Sequence, residues 1–168
     1  MKKRSIFLNL FLSFILFSCS NPSQQTNEIT EEKQAVQTRN DLPNMLITTL
    51  DNARVNIRLI KGNTILILFQ PDCDHCQREA KEIREYVDSF KDYNLYFISA
   101  DQMPAIEKFA KDYGLLGYAN IYFGTTTVDN VLNNFGSIPA PSVYIYSNQQ
   151  LQQKFNGEVA IEKILQAI

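Results

Sequence analysis

The run Thr64-Ile65-Leu66-Ile67-Leu68-Phe69 carries large apolar side chains at five consecutive positions. A half-exposed strand alternates apolar with polar residues, so a strand lacking a polar face needs cover on both sides. The segment therefore predicts a central strand with packed layers above and below it. From Asp74 to about Phe90 the pattern changes, and Cys76, Ala80, Ile83, Val87 and Phe90 fall near one helical stripe with Lys, Arg and Glu elsewhere. A buried strand feeding an amphipathic helix is the opening unit of a layered α/β domain.

Cys73-Asp74-His75-Cys76 stands at that strand-to-helix junction. A cysteine in the first turn of a helix lies near unpaired backbone N–H groups and the positive end of the helix dipole, which favours thiolate over thiol. Cys76 follows one helical turn later, close enough to attack a mixed disulfide formed on Cys73. The expected chemistry is a dithiol/disulfide cycle with Cys73 as nucleophile and Cys76 as resolving thiol, and with no other cofactor.

Around this unit the pattern supplies further elements. Met45–Leu50 and Val55–Ile60 form a leading hairpin through Asp51-Asn52. Asn94–Ala100 is the next strand, followed by a helix that begins at Pro104 and runs to Tyr113, with Gly114 placed to stop it. Asn120–Phe123 is read as a short strand and Val128–Phe135 as a short helix. Ser142–Tyr146 and Leu151–Phe155 make a hairpin through Asn148-Gln149, and Val159–Ile168 closes the chain as a helix with Ile161, Ile164, Leu165 and Ile168 inward. Parallel crossovers in the first half and an antiparallel pair in the second give a mixed sheet flanked by helices.

The N-terminus combines basic Lys2-Lys3-Arg4, a mostly apolar stretch from Ile6 to Phe17, and Ser18-Cys19. The segment Leu16-Phe17-Ser18-Cys19 resembles a bacterial lipobox, which implies an export signal over 1–18 and acylation of Cys19. Cleavage there removes three basic residues and no acidic one, taking the formal charge from −2 to −5 and leaving nucleic acid an unsuitable partner. Acylation also consumes the third cysteine, so Cys73 and Cys76 remain as the thiols. From Ser20 to about Asp41 the chain is polar with almost no large apolar residue, so 19–41 reads as a flexible tether and 42–168 as one domain.

Four features together resemble the thioredoxin superfamily and, within it, the exported TlpA-like thiol-disulfide oxidoreductases of redoxin-type lipoproteins. They are Leu42-Pro43 ahead of a hairpin, Phe69-Gln70-Pro71-Asp72-Cys73-Asp74-His75-Cys76, Pro141 before a strand, and Gly157 before the last helix. The resemblance covers Leu42–Ile168 and implies a thioredoxin-like fold with an N-terminal β-hairpin. It assigns attack to Cys73 and resolution to Cys76, with Asp74 and His75 as the intervening motif residues. It implies a cis-proline beside the pair, for which Pro141 is the choice and Pro139 the rival, with Ala140 offering backbone to an extended substrate. By analogy with some exported reductases, Glu79 tunes the thiols; the alternative is a solvated helix glutamate paired with Arg78 or Lys81. The implied partners are exported proteins with thiols or disulfides, a membrane or periplasmic redox partner, and the membrane itself through the lipid. The implied location is the periplasmic face of a bacterial membrane, and the chain is read as a monomer.

The sequence departs from the commonest superfamily pattern. It has no tryptophan, so Asp72 precedes Cys73, and Ile67 stands where cytosolic thioredoxins bury an aspartate. Asp72 and Asp74 oppose thiolate formation, whereas an imidazolium or N–H of His75 near Cys73 favours it. Rival readings fare less well. A disulfide closing so short a loop stabilises little. A structural zinc cage needs four ligands, which one histidine and two remaining cysteines do not supply. A peroxidase needs its cysteine in a P-x-x-x-T/S-x-x-C setting, and this chain has Pro71-Asp72-Cys73. A peptide-binding module using the Pro141 edge leaves both cysteines unexplained. The remaining alternative is a copper-binding metallochaperone, since soft thiolates suit Cu(I).

Overall fold

The computed structural model describes residues 39–168; the signal over 1–18, the Cys19 lipidation site and the tether as far as residue 38 lie outside the described residues. The strands are β1 (Leu46–Thr49), β2 (Arg54–Asn56), β3 (Thr64–Leu68), β4 (Asn94–Ser99), β5 (Ile121–Thr125), β6 (Ser142–Ser147) and β7 (Gln150–Asn156). The helices are α1 (Asp74–Glu85), α2 (Met103–Asp112), α3 (Val128–Phe135) and α4 (Ile161–Leu165). One sheet runs β2-β1-β5-β4-β3-β6-β7. β3, β4 and β5 are parallel, while β6 and β7 extend one side antiparallel and the β1/β2 hairpin extends the other through β5. This is the expected thioredoxin-like mixed sheet with an N-terminal hairpin.

Every residue of β3 is buried, and its side chains divide by strand parity. Ile65 and Ile67 join a core with Cys76, Ala80 and Ile83 of α1, Ile106, Phe109 and Ala110 of α2, and Ile161 and Ile164 of α4. Leu66 and Leu68 join a second core with Leu42, Met45, Ile47, Ile57, Tyr96, Ile98, Tyr144 and Tyr146, against which Val131 and Phe135 of α3 pack. The absence of a polar face in the sequence thus has its cause in two separate cores. Each such Ile or Leu contributes about 1.5–3 kcal/mol of burial free energy.

Three boundaries differ from expectation. The second strand of the leading hairpin was expected over Val55–Ile60, but it ends at Asn56 and a 3₁₀ turn follows over Ile57–Leu59. Asn56 accepts the Arg58 N–H at 3.0 Å, and that local bond turns the chain out of the sheet while Ile57 stays buried. The helix after the cysteines ends at Glu85, and a 3₁₀ segment over Val87–Phe90 carries the rest of the apolar stripe. Its tighter turn, closed by Ser89 N–H to Tyr86 O at 2.9 Å, still directs Val87 and Phe90 inward. The last helix covers five residues rather than Val159–Ile168, with Ile161 and Ile164 buried and Leu165 and Ile168 only partly so. Ala160 at its N-cap makes no side-chain cap bond, so apolar spacing alone overstated its length.

At the β6/β7 turn Asn148 and Gln149 both adopt positive φ, as a tight two-residue hairpin requires. Gln149 is held there because its side-chain amide donates to Ile60 O at 2.8 Å and its carbonyl accepts Asp41 N–H at 2.8 Å. The start of the domain is thereby tied to the far hairpin.

Candidate active site

β3 delivers the chain to the N-terminus of α1. Phe69, immediately after β3, packs edge-on to Phe97 and Phe123 and tilted against Phe109, so the end of the strand is wedged in an aromatic cluster. The backbone then turns through Gln70–Asp72, closed by Cys73 N–H to Gln70 O at 3.2 Å, and Cys73 becomes the N-cap of α1. Its carbonyl accepts the Gln77 N–H at 3.0 Å, and its sulfur accepts the Cys76 N–H at 3.5 Å. The helix-terminus geometry expected from the spacing is therefore present: a sulfur occupies the place of a capping oxygen.

The two cysteines are free thiols in different environments, Cys73 part-exposed and Cys76 buried. Burial pushes the Cys76 thiol well above the ordinary thiol range, and the neighbouring Cys73 sulfur and Glu79 charge act in the same direction. Opposite Cys73 lies the segment before β6. The peptide bond between Ala140 and Pro141 is cis, so the cis-proline is Pro141 and not Pro139. The Cys73 thiol donates to Ala140 O at 3.6 Å, bringing Ala140 beside the reactive sulfur.

Glu79 departs most from the bland sequence expectation. It is 1% exposed and pairs with neither Arg78 nor Lys81; neither carboxyl oxygen has a hydrogen-bond partner. Burial, reinforced by the charges of Glu158 and Glu82, pushes its carboxyl up to about 8. It lies one helical turn beyond Cys76, on the inner face of α1.

His75 is not dedicated to Cys73. Its Nδ1 contacts the Glu158 carboxylate, which also takes both Arg78 Nε (2.7 Å) and Arg78 Nη2 (2.8 Å). Asp74 occupies the first helical position of α1, where its charge faces the positive end of the dipole. Glu158 is the residue that sequence reasoning missed. Gly157 beside it is one of the four features that carry the resemblance, but nothing local links Glu158 to residues some eighty positions earlier. Among the described residues no group of three or more His, Cys, Asp and Glu side chains is placed to hold a metal ion.

A dithiol capping the helix that follows a central parallel strand, faced by a cis-proline segment, defines the thioredoxin-like class. The chain belongs to the AhpC/TSA family, which it matches over residues 38–151. It is similar to the thiol-disulfide oxidoreductase ResA of Bacillus cereus, with 22% identity over 138 residues that cover 79% of this chain and 78% of that protein. In structure it resembles a secreted disulfide oxidoreductase of Mycobacterium tuberculosis homologous to Escherichia coli DsbE, with a TM-score of 0.64 at 15% identity over 74% of this chain and 93% of that one. The M. tuberculosis protein DsbF gives a TM-score of 0.64 at 20% identity, covering 76% and 93% of the two chains. At these identities the structural likenesses establish the shared fold.

Proposed function

We propose that this chain is an extracytoplasmic thiol-disulfide oxidoreductase, held at the periplasmic face of a bacterial membrane by a lipid on Cys19, that exchanges disulfides with exported proteins. The observation that carries the reading is the asymmetry of the pair: one part-exposed thiol caps a helix, and a buried thiol follows it one turn later. The resemblance to ResA supports the same chemistry.

In the reductive direction, the Cys73 sulfur attacks one sulfur of a substrate disulfide. That S–S bond breaks, the departing substrate sulfur takes a proton, and a mixed disulfide remains. Cys76 then attacks the Cys73 sulfur and releases the second substrate thiol. The substrate gains two electrons and two protons, and Cys73–Cys76 becomes a disulfide. With an exported dithiol as partner the sequence runs in reverse. A membrane or periplasmic thiol-based partner resets the pair.

Cys76 must lose its proton to attack and regain it when the disulfide is opened. Glu79 suits both steps, because a buried carboxyl that titrates near 8 is neither permanently charged nor permanently neutral around neutral pH. Ala140 supplies backbone beside Cys73 for an extended substrate segment.

Insulin-disulfide turnover by the full-length protein in detergent tests the assignment. Cys73→Ser is expected to abolish turnover, and Cys76→Ser to accumulate a mixed disulfide visible on a non-reducing gel. Turnover that survives Cys73→Ser refutes the reading. A wild-type chain that never forms the Cys73–Cys76 disulfide but takes up Cu(I) replaces it with the copper-carrier alternative.

A further inference from the structure

Ionic contacts in this domain are unevenly distributed. Arg39–Asp41, Lys108–Asp112 and Lys111–Glu107 each join residues no more than four apart. Among the described residues the remaining contacts of this kind span the fold, and both end on Glu158: an ion pair from Arg78 and a contact from the His75 ring. His75 is one of the two residues between the cysteines, and Arg78 follows on the next turn of α1.

The backbone brings Glu158 there by a specific route. Gly157 adopts φ +86, and its N–H donates to Pro141 O at 2.9 Å. An L-residue at that φ is strained, so glycine permits the loop between β7 and α4 to bend tightly against the cis-proline segment. The next residue is then presented to the outer side of α1. Its carboxylate accepts two parallel N–H bonds from Arg78, the fork geometry that guanidinium and carboxylate form best. The same loop thus touches both halves of the site, the cis-proline segment through Gly157 and the cysteine helix through Glu158.

We propose that Glu158 is a positioning residue for the Cys73–Cys76 pair: from the loop before α4 it clamps Arg78 and His75, and its charge sets the balance between dithiol and disulfide. The inference rests on the disulfide-exchange reading above.

The electrostatic sense follows from the arrangement. Reduced Cys73 gathers negative charge on sulfur when it ionises, whereas the disulfide is neutral, so a nearby cation favours the reduced protein. Arg78 is such a cation, carried on the helix that Cys73 caps. Glu158 neutralises Arg78 and keeps the Nδ1 side of His75 turned to itself. Its own carboxyl is held down to about 2, by the Arg78 bonds first and His75 second, so it stays an anion throughout the working pH range. Removing that anion leaves Arg78 and His75, which also contact each other at 2.6 Å, without their shared counter-charge at the cysteine end of α1.

The test is the equilibrium of the full-length protein in detergent with glutathione buffers at about pH 9.5, above the ordinary thiol value of about 8.5 so that the charge on sulfur is expressed, read by thiol counting. Glu158→Gln is expected to shift the equilibrium toward dithiol by about two- to fivefold, the range that partly exposed charge pairs command. Arg78→Gln should shift it the other way, because the uncompensated Glu158 anion then opposes the reduced sulfur. The double variant should return close to wild type, as coupled charges do in a double-mutant cycle. Glu79 also feels the Glu158 charge, and repeating the cycle in a Glu79→Gln background isolates the route through Arg78. A merely structural clamp makes both single variants move together through a loosened helix, and that result overturns the proposal. So does an equilibrium in Glu158→Gln that matches wild type. A wild-type protein with no reversible disulfide at all removes this inference and the function on which it rests; a normal wild-type transition that Glu158→Gln leaves unmoved removes this inference alone.

Discussion

Replacing Glu79 by Gln should make the reduced protein more stable at neutral pH while impairing its exchange chemistry. The carboxyl is 1% exposed, has no hydrogen-bond partner, and is pushed from 4.5 up to about 8. Between those values the unfolded chain has released the proton and the folded chain still holds it. The folded state therefore binds more protons there, and stability falls as pH rises. At about 1.4 kcal/mol per pH unit, the loss relative to acid reaches about 3 kcal/mol at pH 7 and levels off near 5 kcal/mol above the folded value. Gln has nearly the same shape and no titration, so it removes this slope. Urea unfolding of the dithiol form from pH 5 to 9 should show wild-type stability declining more steeply than that of Glu79→Gln, with the gap widening through pH 7. Insulin-disulfide turnover should fall in the same variant if the carboxyl exchanges a proton with Cys76. Parallel stability profiles for the two proteins would refute the burial argument, because an acid that titrates alike in both states leaves no linkage.

Other perturbations probe the remaining links. Gly124→Ala is expected to destabilise by about 1–3 kcal/mol by overpacking, because a Cβ there meets Ile47 Cδ1 at 2.9 Å and Thr48 O at 3.0 Å; denaturant midpoints measure it, and an unchanged midpoint rejects the close β1/β5 contact. Glu158, whose carboxyl is held down to about 2, contributes stability that is in place above pH 4.5 and lost as pH falls toward 2. Acid unfolding of Glu158→Gln should lack that part of the wild-type decline. Cys19→Ala should move the protein from the membrane to the soluble fraction, and retention in the membrane points instead to the apolar segment as an anchor.

Local pattern made much of the architecture readable. The β3 run, the stripe on α1 and Pro104 at the start of α2 each act within a few residues, and each emerges, the stripe with its last turn as a 3₁₀ segment. The cysteine pair was legible for the same reason, since one helical turn of separation is a local fact. The shortened β2 and α4 were not, because Asn56 capping Arg58 and the bare Ala160 cap decide boundaries that hydrophobic spacing does not register. Glu79 lay between the two cases. Its flanking Arg78 and Lys81 suggest a wet surface, yet it is three residues from Cys76 and four from Ile83, both buried, and that spacing sets it on the same face. Glu158 was beyond reach, because its partners depend on where the β7–α4 loop folds.

The two acids divide α1 between them. Glu79 faces inward behind Cys76, unpaired and costly while charged; Glu158 reaches the outer side, paired and anionic. A fold selected for stability alone would place an apolar side chain at 79, since burying an unpartnered carboxyl opposes folding. Keeping it beside a buried thiol fits a proton that must move each time the Cys73–Cys76 bond forms or breaks. The outer acid fits a different need, holding basic side chains away from full effect on the exposed sulfur. On the two proposals above, proton delivery to Cys76 and charge balance around Cys73 fall to separate side chains on opposite sides of one helix. Substitution at Glu79 should accordingly act on stability between about pH 5 and 9, and substitution at Glu158 on the dithiol/disulfide equilibrium and on stability in acid.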